Sequence, residues 1–445
     1  MRDLVLLAAL PFMLYAMAKR PFVGLGMWIW TALFFPNGWV FGIASGIRYN
    51  LLFTGMTLLS YMAMKPKPKF KLTGTAILVL LFFAWTTLSS MTGIGLLERT
   101  WEIWNRFMKV IALFLFVLAI IENKLHVEFF FWCIVLSVGF YANVEALKFL
   151  ASGGHHMIEG MNGHVLGDRN ELAVAFVMIL PICMYLLREY GPKSRLLSIG
   201  LLGTIALLVV SVVGTQSRGG FIALLALGGY FYLKSEKKAL ATVLIIVLAV
   251  GLSQVVTTEW VSRINTINAA DKDASFMGRV VAWKLSLILA SQHPLTGGGF
   301  KALEYFPVWS NLSKDFFSFS WFYTGDAAPS AERAHAAHSI YFQVLGDHGF
   351  VGLALFLAIL VGTFLTARRI VRVSRKHNVP DWIPNVATTL QLSMFGFCVG
   401  GAALSFAYFD LTYAIVGLLV VLNSRILPAA IAESRKSTPN PDLRT

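Results

Sequence analysis

Residues 196–220 read LLSIGLLGTIALLVVSVVGTQSRGG. Positions 196–214 carry no charged side chain, and an α-helix needs about 20 mostly apolar residues to cross a bilayer. A second apolar run begins at Gly219, directly after a short polar turn, and continues to residue 233. The stretch therefore predicts two membrane-spanning helices joined by a tight turn, with Arg218 at the edge of the bilayer.

The rest of the chain repeats this pattern. Of its 445 residues 57% are apolar and 13% are charged, and the mean hydropathy is +0.69, whereas soluble domains carry about 25% charged residues. This composition excludes a soluble globular protein and predicts an all-α polytopic membrane protein. The candidate spans are residues 3–18, 22–45, 50–64, 73–92, 104–122, 128–150, 169–187, 196–214, 219–233, 239–257, 338–367, 387–407 and 412–432. Pro36-Asn37-Gly38 interrupts the second span, so we expect a re-entrant or broken helix there and about 12 crossings in total.

Basic side chains orient the spans, because short cytoplasmic loops of membrane proteins are enriched in Lys and Arg. Four short basic segments are assigned to the cytoplasm on this ground: residues 65–69, 188–195, 234–238 and 368–376. Alternation then exports residues 150–168, the turn 216–219 and the long segment 258–337, whose acidic and basic residues balance. The net charge of +14 thus reflects cytoplasmic loops beside membrane lipids, and we expect no nucleic-acid partner. Lys19 and Arg20 would face outward in this topology, against the rule.

The predicted organisation has four parts. They are an N-terminal transmembrane bundle (1–257), one large periplasmic loop (258–337), C-terminal transmembrane helices (338–432) and a cytoplasmic tail (433–445). The loop is rich in Trp, Tyr and Phe, which is typical of a folded cap or of interfacial helices. Within it, residues 278–292 predict an amphipathic helix that ends before Pro294 and the glycines 297–299.

Two arginines are candidates for anion binding. An ionisable side chain at membrane depth is costly and suggests a functional site. The planar guanidinium of Arg218 could bind a phosphate bidentately, or it could simply reach the outer headgroups, and the two glycines behind it would allow close approach of backbone or ligand. Arg279, one helical turn before Trp283, could meet the same phosphate or be an ordinary exposed helix residue.

His338 is the candidate general base, because imidazole is the side chain best able to accept a proton near neutral pH. The alternative is an interfacial histidine that bonds to backbone or lipid. His335 lies three residues earlier, so the pair could also bind a metal. On another span, Asp168 is a predicted N-cap, and Arg169 and Asn170 follow it on the same side of the membrane as Arg218.

Metal ligands form no recognised pattern in the sequence. Asp271-Lys272-Asp273 resembles a D-x-D motif, but such a match is common by chance in a polar loop. The cysteines Cys133, Cys183 and Cys398 lie far apart within apolar runs. We therefore expect no metal site, no cofactor and no disulfide.

Several short motifs occur together in a fixed order. They are Ser217-Arg218-Gly219-Gly220, then Arg279-x-x-x-Trp283 and Pro294-x-x-Gly297-x-Gly299 in the exported loop, then His338-Ser339-x-Tyr341 at the next helix start. Together with the membrane topology, this combination resembles the O-antigen ligase family, whose superfamily also includes O-antigen polymerases and bacterial protein O-oligosaccharyltransferases. The motifs cover about residues 168–350, and the hydrophobic organisation extends the resemblance over nearly the whole chain.

The resemblance implies a fold similar to GT-C glycosyltransferases and a metal-independent transfer at the periplasmic face of the bacterial inner membrane. The donor would be a glycan on undecaprenyl pyrophosphate, and the acceptor would be a sugar of the lipid A core. Arg218 and Arg279 would hold the pyrophosphate, and His338 would act as base. Arg169, Asn170, Trp283, His335 and Tyr341 are expected to line the substrate site.

Two alternatives remain open at this point. A protein or a growing polysaccharide could be the acceptor, because no residue separates these acceptor classes. The protein could instead be a polysaccharide transporter, although transporters tend to place charges at mid-membrane and to show two related halves. Here the candidate residues lie at the outer surface, and no internal repeat is evident.

Overall fold

The computed structural model describes residues 2–253, 274–320, 322 and 324–437. Within those residues every regular element is helical. The α-helices are α1 (Arg2–Lys19), α2 (Pro21–Phe34), α3 (Gly42–Ser45), α4 (Tyr49–Ala63), α5 (Gly74–Met91), α6 (Leu97–Ile120), α7 (Lys124–Ile134), α8 (Phe140–Ala151), α9 (Arg169–Tyr190), α10 (Arg195–Gly214), α11 (Arg218–Lys234), α12 (Lys238–Ser253), α13 (Ala274–Gln292), α14 (Phe306–Ser313), α15 (Ile340–His377), α16 (Trp382–Gly401), α17 (Asp410–Val421) and α18 (Leu427–Ser437). Single π-helical turns, Val135–Gly139 and Leu422–Ile426, join α7 to α8 and α17 to α18.

Seven helical stretches in the described part of the chain are long and apolar enough to cross a membrane. They are Gly74–Met91, Leu97–Ile120, Lys124–Ala151, Arg169–Lys193, Arg195–Gly214, Ile340–His377 and Asp410–Lys436. The all-α, multi-pass membrane class is therefore confirmed. The figure of about 12 crossings stays a prediction, since several other apolar helices are short; α2 has 14 residues, α4 has 15 and α11 has 17.

Helix α9 lies at the centre of the bundle. Residues 172–183 are all buried, and the helix packs against α10, α11 and α16. A helix that is apolar on every face needs neighbours on every side. Glycine permits the closest approach, because a Cβ on Gly400 of α16 would lie 2.4 Å from Val174 Cγ2. The start of α9, which carries Asp168, Arg169 and Asn170, is thus held by several helices.

The first three long helices run antiparallel between the two ends of the bundle. At one end, the backbone N–H of Phe41 donates to Asp3 Oδ1 (2.8 Å) at the start of α1. At the other end, Ser60 Oγ donates to Ala18 O (3.3 Å), joining the last turns of α4 and α1. Helix α2 returns between these ends, so the chain passes along the bundle three times before residue 64.

This packing corrects the expected position of Lys19 and Arg20. Both residues line one cavity with Met64, at the end of α4, and with the turn between α6 and α7. They therefore lie at the same end as the basic segment 65–71, which we name the basic end, and not at the opposite one, which we name the site end. The break predicted at Pro36-Asn37-Gly38 is confirmed as a 3-10 turn, but it follows a complete α2 and leaves the first three helices in agreement with the positive-inside rule.

Helix α15 is interrupted near its start. Gly349 has φ 68° and ψ −169°, a conformation that is essentially restricted to glycine. The segment 294–300 fits against this break, and we name the two segments 294–300 and 346–350 the glycine junction. Its backbone hydrogen bonds run from Gly298 N to Gly346 O (2.9 Å), from Gly299 N to Asp347 O (2.8 Å) and from Phe350 N to Pro294 O (2.9 Å). Backbone groups that a regular helix would pair are thereby satisfied across the break.

Helix α5 closes the glycine junction from the other side. Ser89 Oγ lies 2.6 Å from Thr296 O and 2.9 Å from Asp347 O. The Trp85 indole donates to His348 O (3.1 Å), and Ile94 N donates to Gly298 O (2.9 Å). A distant part of the chain is therefore built into this junction.

The described part of the predicted exported loop is a folded unit. Helix α13 contains the predicted amphipathic stretch 278–292 and begins four residues earlier. It packs with α14 around a separate apolar core, which includes Leu285, Leu289, Leu303, Trp309, Leu312 and Phe316. This part of the loop is therefore folded around its own core, and its assignment to a periplasmic cap or to interfacial helices stays a prediction.

Candidate active site

The starts of α9 and α11 lie side by side at the site end. Asp168 caps α9 as predicted, because its Oδ1 accepts from Asn170 N (2.7 Å). Ser217 caps α11 and donates its hydroxyl to Asn170 Oδ1 (2.8 Å). Arg218, the first residue of α11, is half-buried. The predicted neighbourhood of Asn170 and Arg218 is therefore present, with Ser217 as the link between them.

The glycines behind Arg218 serve helix packing. A Cβ on Gly220 would lie 2.4 Å from Ala173 Cβ in α9, and one on Gly219 would lie 3.1 Å from Ala403 Cβ. The sequence allows two explanations for these glycines, close approach of the backbone or close approach of a ligand. Close packing of the backbone against neighbouring helices accounts for both Gly219 and Gly220. Arg169 Nη1 lies 3.2 Å from Met157 Sδ in the preceding loop.

The segment that carries His338 is held on both sides. The backbone N–H of His338, which has φ 46°, donates to Ser405 Oγ (2.9 Å) in the loop between α16 and α17. The preceding carbonyl, Ala337 O, accepts from Trp283 Nε1 (2.7 Å) in α13. The Trp283 ring also stacks on Phe342, with centroids 5.2 Å apart and planes inclined by 6°. Trp283 thus fixes the segment that presents His338.

The surroundings of His338 favour a neutral imidazole. Burial lowers the pKa of His338 below its ordinary value, and the nearby Arg279 and His335 lower it further. The carboxylates of Asp168 and Glu304 act in the opposite direction but do not reverse the shift. A neutral imidazole is the form that can accept a proton. Arg279 and Asp168, the cap of α9, thus both influence the imidazole of His338 electrostatically.

Two further predicted residues bond within the protein. The Tyr341 hydroxyl donates to Cys398 O (3.0 Å), which ties α15 to α16. The His335 ring lies 5.5 Å from the Trp309 ring in the loop core, and burial together with Arg333 lowers the pKa of His335. A substrate-binding role for either residue stays a prediction.

No group of three or more metal-binding side chains occurs among the residues that the structure describes. The pair His335 and His338 therefore has no third ligand there. Asp271 and Asp273, the D-x-D match, lie outside the described residues. The cysteines Cys133, Cys183 and Cys398 are free thiols.

The structure adds polar residues that the motif analysis missed. Lys301 follows the glycine turn with φ 57°, its N–H donates to Asp347 Oδ1 (2.9 Å), and its ammonium pairs with Glu304 Oε2 (2.9 Å). Asp347 is 4% exposed and also accepts from the Tyr408 hydroxyl (3.0 Å). A small cavity beside the His338 segment is lined by Ser286, Lys301, Glu304, Gln343, Asp347 and Ser405. The sequence could have suggested Lys301 and Glu304, because these charged residues follow closely after the glycine turn. Ser405 and Tyr408 could not be predicted in this way, because they lie in a loop without any motif.

Two parts of the chain match models of known protein families. Residues 203–357 match the family model described as O-Antigen ligase. The chain carries an O-antigen ligase domain. The resemblance suggested by the sequence is thereby confirmed, and the match includes Arg218, Arg279 and His338. Residues 1–191 match a second family model, DUF5935, which is described as a family of unknown function. No curated protein matches the chain.

The two matches divide the site between them. The O-antigen ligase domain begins within α10 and ends within α15, so it contains the glycine junction and the described part of the loop. Arg169 and Asn170 belong to the DUF5935 match, while Ser405 and Tyr408 lie beyond both. The site residues are therefore contributed by the whole chain and not by the ligase domain alone.

Proposed function

We propose that this protein transfers a glycan from undecaprenyl pyrophosphate to a sugar of the lipid A core, at the periplasmic face of the bacterial inner membrane. The observation that carries the proposal is the O-antigen ligase match over residues 203–357, which contains Arg218, Arg279 and His338. The elements that present these residues share the site end, and the lowered pKa of His338 keeps its imidazole in the neutral form that can accept a proton.

The chemistry that we propose is a single displacement. A hydroxyl oxygen of the acceptor attacks the anomeric carbon of the donor glycan while the bond from that carbon to the pyrophosphate oxygen breaks. His338 accepts the hydroxyl proton, and undecaprenyl pyrophosphate leaves with its electron pair. Arg218 and Arg279 neutralise the charge on the departing pyrophosphate, since fixed cationic donors stabilise charge that develops in the transition state. One displacement inverts the configuration at the anomeric carbon.

A second acceptor class is kept as an alternative. The family match covers a ligase and polymerase type of function, and nothing in the geometry separates a lipid A core sugar from a protein or a polysaccharide acceptor. Trp283 and Tyr341 use their polar atoms within the protein. We therefore propose that acceptor recognition depends mainly on other groups around the site, including Arg169, Asn170 and His335.

Reconstitution tests the reaction and the acceptor together. The purified protein is placed in liposomes with a glycan on undecaprenyl pyrophosphate, and lipid A core, a peptide or a second glycan is added in separate mixtures. We expect glycosylated lipid A core in the first mixture and a matching release of undecaprenyl pyrophosphate. Product only with peptide or glycan would replace the proposed acceptor. Movement of intact donor across the bilayer without any transfer would instead support the transporter alternative.

A further inference from the structure

A second cavity lies at the basic end, far from the residues of the proposed reaction. It has a volume of about 490 Å³ and opens between the α1–α2 turn, the end of α4 and the α6–α7 turn. Cavities of roughly 300–1,000 Å³ are the size that binds small ligands. The whole cavity lies within the DUF5935 match, for which no function is described.

The mouth of this cavity is strongly basic. Lys19 and Arg20 line it and are both exposed. Among the described residues neither has a carboxylate within ion-pair distance, although Lys19 lies over the Tyr15 ring. Lys124, in contrast, is engaged by Glu128 and Glu189. The two cations at the mouth are therefore available to an anion.

The lysine segment 65–71 is fixed beside the same mouth. Arg425, in the π-helical turn after α17, donates to Lys69 O (2.8 Å) and to Leu118 O (3.0 Å), and it also bonds to Ile121 O. These bonds join the lysine segment to the end of α6, directly before Glu122 in the cavity wall. Lys67 is further held over the Tyr61 ring, 5.0 Å from its centroid. The exposed lysines of this segment, Lys65, Lys67, Lys69 and Lys71, therefore lie at the same end as Lys19 and Arg20. Glu122 is the one carboxylate among the described residues that line the cavity.

The walls of the cavity are apolar. Phe22, Met64, Ile120 and Leu125 line it, and the Phe22 ring stacks on His126 at 4.3 Å. Leu59 and Met62 of α4 are further large apolar side chains at this end of the chain's fourth helix, each 62% exposed. A basic mouth above an apolar wall fits an amphiphile with an anionic head, and basic pockets between membrane helices bind such headgroups.

We propose that this cavity binds an anionic phospholipid, with the phosphate of its headgroup at Lys19 and Arg20 and its acyl chains along α4. The lipid would join the ends of α1, α2, α4 and α6 at the membrane surface. The proposal does not depend on the reaction at the site end. A free phosphate could satisfy the two cations, but it would leave the apolar wall unused.

The test measures lipid binding to the full-length protein in nanodiscs. Thermal unfolding and native mass spectrometry are recorded with phosphatidylglycerol, with phosphatidylcholine, and with phosphatidylcholine plus inorganic phosphate. The variant Lys19→Gln/Arg20→Gln is compared with Arg368→Gln/Arg369→Gln. The control removes two consecutive exposed arginines from the same end that do not line the cavity. Each basic residue near anionic lipid contributes about 1 kcal/mol, so we expect the first variant to bind phosphatidylglycerol at least about tenfold more weakly and the second to bind it like the wild type.

Several outcomes would overturn the proposal. Equal losses in the two double variants would mean that binding follows total charge and not this cavity. Equal binding of phosphatidylglycerol and phosphatidylcholine would remove the requirement for an anionic head, and stabilisation by inorganic phosphate alone would make the site a free-phosphate site. If Lys19→Gln/Arg20→Gln does not fold, the charge-preserving variant Lys19→Arg/Arg20→Lys is used instead. We expect this variant to bind phosphatidylglycerol and to bind it more weakly as the salt concentration rises. Loss of the binding, or binding that does not change with salt, contradicts the proposal.

Discussion

The glycine junction and the His338 segment lie at the same end of α15, but they are held in different ways. In the junction, residues 297–299 and 346–349 are buried, and backbone groups from both segments bond to each other and to α5. His338 is only half-buried, and its segment depends on single hydrogen bonds to Ser405 and Trp283. The difference indicates a division between a buried support and a less constrained segment that carries the proposed base.

The largest effect is expected at the proposed base. His338→Ala removes the proposed base, and general-base catalysis contributes about 100-fold to 10,000-fold. We expect transfer in the reconstituted assay to fall by that factor while thermal stability and donor binding change little. His377→Ala, which removes an imidazole at the opposite end of α15, serves as the control and should leave transfer nearly unchanged. Full activity of His338→Ala would remove His338 as the base.

A change in the junction should instead act on folding. Gly349→Ala places a Cβ 2.4 Å from Leu295 O at a backbone conformation of φ 68° and ψ −169°, and such strain costs about 3 kcal/mol even without the clash. We expect a lower yield and a clearly lower unfolding temperature. Gly203→Ala in α10 is the control, since nothing lies within 4 Å of its added Cβ. Equal stability of the two variants would contradict the buried-support assignment.

A smaller effect is expected where the two regions meet. Trp283→Phe keeps the stacking on Phe342 but removes the donor to Ala337 O, and an unsatisfied buried carbonyl costs about 1–3 kcal/mol. If that cost loosens the His338 segment, turnover falls by about tenfold at unchanged donor affinity. Trp309→Phe is the matched control, because it loses an indole bond to Ser330 O (3.0 Å) in the loop core. A similar loss of turnover in both variants would assign Trp283 a general structural role.

The smallest effect is a displacement of the pH profile. Because burial and Arg279 lower the pKa of His338, its imidazole becomes protonated only below the ordinary value of about 6.5. Activity that needs the neutral form is then fully present above that pH and is lost as the pH falls through the lowered pKa. We expect an acidic limb below pH ~6.5 in kcat/KM and almost no change between pH 7 and 8. An acidic limb at or above the ordinary value would show that the proposed environment is wrong.

Much of the fold follows from apolar patterning. The predicted spans 73–92 and 196–214 differ from α5 and α10 by only one residue at any end. The prediction for α6 began at residue 104 and missed its first two turns, because Glu98, Arg99 and Glu102 make them polar. Charge alone predicts a loop at residues 368–376, although α15 continues to His377. Charge identifies the side of a membrane but not the place where a helix ends.

The site was predicted only in part, for a related reason. Arg218, Asn170, Arg279 and His338 carry chemistry that is unusual at a membrane edge, so the sequence could suggest them. Ser405 contacts His338 through the packing of α16 and α17 across 67 positions of sequence, and no spacing rule covers such a contact. The end of the bundle at which Lys19 and Arg20 lie could not be predicted from the sequence either, because it depends on whether α2 runs from one end of the bundle to the other. Only three-dimensional packing decides that question.

The contacts of α5 with the glycine junction determine the order in which the molecule can be completed. Ser89 and Trp85 belong to the DUF5935 match, but their partners, Thr296 and His348, lie more than 200 positions later. During synthesis these donors must wait until α15 has been made. The two matched regions are therefore joined by hydrogen bonds that only the complete chain can form. An N-terminal half expressed alone would present the polar groups of α5 without the backbone acceptors that they have in the complete chain.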